Sequence, residues 1–168
     1  MVPVDDEYLI QVGRLAYSVA YLEWVVLGEF SYVIDLPIEL ELRGLVGKTT
    51  GALGKILQNP SVLEQVAESS TRQWLQRSGE LLASSAILRN SVLHARPATI
   101  GGHQRLYRWH PNIGEAFSID PAWIGEAQRQ IDEAIREVSS GRPRLNHPAI
   151  PRQTHEQQRP SEEDLGSP

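Results

Sequence analysis

Midway along the chain, Leu88-Arg89-Asn90-Ser91-Val92-Leu93-His94-Ala95-Arg96-Pro97 gathers side chains suited to acid–base chemistry on a phosphate. Histidine titrates near neutrality and moves protons in either direction. Arginine stays charged and grips phosphate oxygens with a planar fork. On a helix, Asn90 and His94 are one turn apart and share a face. Arg89 lies about 140° round the axis from His94, and its long side chain can still swing to the rim of that face. Near a helix C-terminus the dipole favours the imidazolium form. The set suits RNA cleavage without a metal. The ribose 2′-hydroxyl is the nucleophile, so the protein has only to move protons and stabilise charge on a phosphorane-like transition state. In this scheme His94 is the general acid/base and Arg89 the phosphate stabiliser, while Asn90 fixes the imidazole or contacts the ribose. One chain supplies one such histidine where two groups work better, so a homodimer that brings two helix ends together is expected.

Charge supports an anionic partner, but only locally. The chain has 168 residues, 16 basic and 21 acidic, for a net charge of -5. That average argues against a generally basic nucleic-acid coat. Yet residues 72–108 hold six arginines (Arg72, Arg77, Arg89, Arg96, Arg105 and Arg108) against Glu80 alone, a net of +5. Residues 1–43 hold eight acids against two arginines, and residues 109–139 hold six acids against two. A basic block between acidic ones is either an anion-binding face or the wetted side of a helix. The absence of cysteine excludes disulfide scaffolds, thiol nucleophiles and thiolate zinc sites. The length fits one domain with or without a tail, and 40% hydrophobic residues suffice for a core.

The elements that must position these residues are mostly helical. Asp5 or Asp6 caps a long first helix expected to run to Ile34, with Pro37 closing the region. Its apolar window from Leu15 to Ile34 contains Glu23 and Glu29, which favours a buried helix over a membrane span. The acidic N-terminus lacks the basic region of a signal peptide, so a soluble cytoplasmic protein is expected. A short helix containing Leu53, Ile56 and Leu57 follows, and Ser61-Val62-Leu63-Glu64 has capping-box spacing. From Thr71, the recurrence of Trp74, Leu75, Leu81, Leu82, Leu88 and Val92 predicts a long helix ended by Pro97. Two runs, Arg105–Trp109 and Ala116–Ile119, predict a β-hairpin. Asp120-Pro121 then starts a last helix carrying Trp123, Ile124, Ala127, Ile131, Ala134, Ile135 and Val138. The expected architecture is all-α: a bundle of four to five helices over residues 1–140, with the small hairpin before the last helix. Residues 141–168, rich in proline and polar residues, read as a disordered tail.

Arginine, then asparagine, then histidine after four intervening residues, within a helical domain, resembles the HEPN superfamily. The resemblance implies a HEPN-like bundle and a metal-independent endoribonuclease with no cofactor. Its active site would be a composite cleft between two copies, with Arg89, Asn90 and His94 on the catalytic motif. It also implies a setting in defence or toxin–antitoxin systems, with an antitoxin or regulatory protein as a further partner. Leu22-Glu23-Trp24, the Gly47 to Leu57 stretch and the run from His94-Ala95-Arg96-Pro97 to Arg105-Leu106-Tyr107 are similar to bacterial relatives of that superfamily. The likeness spans residues 5–139. Some members bind RNA, nucleotides or proteins without cutting, which is the alternative reading.

Other residues are candidates for support. Arg96 and Arg105 are candidates for RNA phosphate binding. Glu23, among apolar neighbours, either pairs with Arg89 or another motif arginine and orients it, or faces water. Tyr107 and Trp109 either stack on bases or pack on the helices. Gly44-Leu45-Val46-Gly47-Lys48-Thr49-Thr50 imitates a phosphate-binding loop, but Leu42 stands where its first glycine belongs and no strand precedes it. A glycine turn is the plainer expectation. The spacings of His94, His103 and His110 fit no common metal-ligand pattern.

Overall fold

Asp5 accepts the Glu7 N–H and starts helix α1 (Asp6–Glu29), whose Tyr8, Leu15, Val19, Leu22 and Val26 form one buried stripe. The computed structural model describes residues 4–33, 36–110 and 114–143. After a 3₁₀ turn at Ile38–Leu40 come α2 (Leu42–Leu45), α3 (Thr50–Leu57) and α4 (Pro60–Leu63). Helix α5 (Ser69–Leu93) leads into strands β1 (Arg96–Ile100), β2 (His103–His110) and β3 (Glu115–Ile119). Helix α6 (Pro121–Ser140) follows, with Asp120 accepting the Trp123 N–H and Pro121 at its first position.

Three long helices form the frame. Phe30 meets Trp74 edge-on and Glu23 meets Arg89, so α1 and α5 run antiparallel. Gln128 bonds Ser18 and Arg142 pairs with Glu29, so α1 and α6 run parallel. One core cluster, containing Leu22, Val26, Leu53, Trp74, Leu75 and Val138, lies beneath α3. A second, containing Tyr8, Leu15, Val92, Ile119, Ile124 and Ile131, lies beneath the sheet. The sheet is antiparallel in the order β1-β2-β3. The Tyr8 hydroxyl joins it to α1 by accepting the Leu106 N–H at 2.9 Å and donating to the Ile119 carbonyl at 2.7 Å. Burial is the main cause that holds its pKa above the ordinary tyrosine value.

Several expectations change. The molecule is mostly helical, with α2 and α4 only single turns, but the expected hairpin is a three-stranded sheet. The long helix stops at Leu93 rather than at Pro97, and Arg96–Ile100 pairs with β2. Pro97 is tolerated there because β1 is an edge strand, which leaves one side of its backbone unpaired. Helix α1 stops at Glu29 rather than Ile34, and Ile34 lies outside the described residues. The cap of α4 is Asn59, which accepts the Ser61 N–H, rather than Ser61 itself. Helix α5 starts at Ser69 because the Glu68 carboxylate accepts the Ser70 and Thr71 N–H groups; these bonds hold its pKa at about 2. The glycine turn is as expected: Gly47 has φ +88° and Thr49 caps α3. Arg142, read as tail, is anchored on the buried Glu29, and residues 144–168 of the expected tail lie outside the described residues. Among the described residues no helix is long and apolar enough to cross a membrane.

Helices α3 and α5 cross on two glycines. A Cβ on Gly79 would stand 2.9 Å from the Gly54 carbonyl oxygen and 3.0 Å from the Leu57 Cβ. Helix propensity alone makes Gly79→Ala stabilising by about 1 kcal/mol. The backbone contact makes it overpacked instead, with an expected loss of about 1–3 kcal/mol. Urea unfolding at unchanged m-value measures this, and a raised midpoint would refute the close crossing.

Candidate functional site

Helix α5 carries the Arg89–His94 motif along its last turns, and the geometry divides the motif in two. The first half faces inward. Arg89 Nη1 stands 3.9 Å from Glu23 Oε1, each side chain about one-quarter exposed (24% and 23%). Arg89 Nη2 donates to Asn90 Oδ1 at 3.3 Å. Glu23 also accepts a hydrogen bond from the hydroxyl of Thr50, a fully buried residue at the first turn of α3. Arg89 Nε is buried and has no hydrogen-bond partner among the described residues. Of the two expectations for Glu23, the structure has it paired with Arg89 rather than turned to water.

The second half faces outward. His94 is the C-cap of α5, with φ -102° and ψ 9°, and its N–H donates to the Asn90 carbonyl at 3.1 Å. That bond keeps Asn90 and His94 one turn apart, as expected, but a shared face does not make the two side chains partners. The Asn90 amide oxygen turns to the neighbouring guanidinium, which is a better donor, and does not hold the imidazole as expected. His94 is exposed, and its imidazole makes no hydrogen bond or ion pair among the described residues. Its carbonyl, one of those a helix end leaves open, accepts Arg108 Nη1 at 3.0 Å. His94, Arg96, Ala98, Tyr107, Arg108 and Trp109 together line a cleft of about 550 Å³.

Two arginines therefore share this cleft with the histidine, but they are not the expected pair. Arg96, exposed at the start of β1, is in place. Arg105 is not: its guanidinium lies 4.7 Å from the centre of the Tyr8 ring and its Nη1 donates to the Gln104 carbonyl. It lines a separate apolar groove with Val4, Leu9 and Pro97. Arg108 takes its place. Sequence reading counted Arg108 in the basic block but had no means of aiming it, since strand register decides which arginine reaches the helix end. Thr50 was also missed, because its partner Glu23 is 27 residues away on another helix. No group of three or more carboxylate or imidazole side chains able to hold a metal occurs among the described residues.

Compared with family models, curated proteins and solved structures, the chain matches none.

The inward half makes a direct prediction. Thr50→Val keeps the shape but leaves a partly buried carboxylate oxygen without its donor. An expected loss of about 2 kcal/mol follows from the strength of hydrogen bonds to charged groups. Chemical denaturation measures it, and wild-type stability would show that Glu23 does not depend on Thr50.

Proposed function

We propose that this protein is a metal-independent endoribonuclease of the HEPN type, acting as a homodimer. The observation that carries the reading is an exposed imidazole, free of protein partners among the described residues, set in one cleft with two arginines. In the proposed reaction His94 takes the proton of a ribose 2′-hydroxyl. The freed oxygen attacks the adjacent phosphorus, and the bond to the 5′-oxygen breaks. A protonated imidazole, that of the second copy, returns a proton to the departing oxygen. The products are a 2′,3′-cyclic phosphate and a 5′-hydroxyl. Arg96 and Arg108 stabilise the charge that gathers on the phosphate oxygens.

The two motif residues turned inward take supporting roles. Arg89, the phosphate stabiliser that the resemblance implies, sits at a long 3.9 Å from Glu23, a contact with which a phosphate's charge can compete. Asn90 positions that guanidinium. The second copy has a surface to meet. Ile87 is seven residues before His94, hence on the same stripe of α5, and is 67% exposed. A second copy packed along this stripe covers that apolar side chain about two turns from the imidazole. A defence or toxin–antitoxin setting, with a neutralising protein partner, goes with the same resemblance.

One observation favours a non-catalytic RNA-binding module instead: the arginine of the motif is neutralised inside the chain by Glu23. Cleavage in EDTA separates the two readings. The purified chain should cut RNA with metal chelated, and His94→Ala should lower the rate by two orders of magnitude or more, as for loss of a general acid–base group. Cleavage that requires a metal, or an equal rate in the folded variant, would sink the nuclease.

A further inference from the structure

We infer that the outer face of the sheet beside His94 is a stacking platform for unpaired RNA bases, with Trp109 and Tyr107 as successive seats. This deepens the nuclease reading by giving its substrate class, single-stranded RNA, and rests on RNA being the ligand of the cleft. Trp109 is 59% exposed and Tyr107 36%. They are two apart on β2, so they share one side of the pleat at a spacing of about 6.8 Å. Neither is needed as core filler there. Trp74 is buried under α1 and α6 with its indole N–H on the Val138 carbonyl, and Trp123 packs against Phe117.

Charge selects the occupant. Arg96 is registered opposite Tyr107, so it rises from the same face of the sheet, and Arg108 lines the same cleft. An apolar protein surface would leave the Arg96 guanidinium in its interface without a partner. A nucleic-acid strand offers bases to the rings and phosphates to the arginines. The seat spacing exceeds the 3.4 Å step of a strand within a duplex, so it fits bases splayed apart rather than bases stacked in a helix. A-form RNA also hides its bases in a deep, narrow major groove. With bases seated on Tyr107 and Trp109, the backbone beside them passes the arginines and His94.

The test uses the full chain carrying His94→Ala, which preserves both rings and leaves RNA uncut, with an eight-nucleotide oligouridylate followed by fluorescence anisotropy. Adding Trp109→Ala should weaken binding about tenfold or more, while Trp109→Phe should retain most of it. An RNA duplex of equal length should bind more weakly and be indifferent to Trp109→Ala. Unchanged affinity for the oligouridylate in Trp109→Ala, or an equal loss for duplex and single strand, would overturn the platform. The two readings fail separately. Binding through Trp109 with no cleavage by the parent chain would sink the nuclease and keep the platform. Undiminished cleavage with unchanged KM in Trp109→Ala would do the reverse.

Discussion

The hydrogen bond from Arg108 to the His94 carbonyl fixes how the two parts of this molecule meet. It joins the C-cap of α5 to β2, and so places an imidazole beside the sheet. The contact is favourable twice over. It fills one of the carbonyls a helix end leaves open, and it sets a cation at the negative end of the helix dipole. The Tyr8 hydroxyl does the corresponding work on the other side, holding β2 and β3 to α1. Between these ties the short sheet is fixed to a helical frame.

The frame has its own electrostatic constraint. Glu23, Arg89 and Thr50 bring a carboxylate, a guanidinium and a hydroxyl from three helices to one partly buried point. The carboxylate gains a donor and a counter-charge, which is what such a group requires away from water, while Arg89 Nε has no hydrogen-bond partner among the described residues. The same pairing turns the motif arginine inward, so the positive charge in the cleft at the end of α5 comes from Arg96 and Arg108. Thus the basic block of the sequence serves two purposes. Arg89 and Arg77 are partnered by acids within the fold, whereas Arg96 and Arg108 line the cleft.

Much of this fold is legible locally, because caps and apolar periodicity are local. Asp5, and Asp120 followed by Pro121, announce the helices they cap, and the stripe from Trp74 to Val92 marks α5. Strand β1 is hidden because nothing in Arg96–Ile100 alone forms a strand. Pro97 argues against one, and only pairing with β2 creates it. The site is half legible for the same reason. His94 and Arg96 lie close in sequence and share the cleft. Choosing Arg108 over Arg105 depends on strand register, and finding Thr50 depends on how α3 crosses α5. Asn90 misleads because helical phase gives its face and not its partner, and its amide oxygen takes the adjacent Arg89 guanidinium.

Chemistry at the 2′-hydroxyl is the centre of the proposal, and the substrate itself can probe it. The measurement is cleavage in EDTA of a single-stranded RNA oligonucleotide and of its 2′-deoxy counterpart, with product ends identified by mass spectrometry. The expected result is RNA cut to fragments ending in 2′,3′-cyclic phosphate, and the deoxy strand left intact. Cutting of the deoxy strand, or RNA products with 3′-hydroxyl and 5′-phosphate ends, would contradict it.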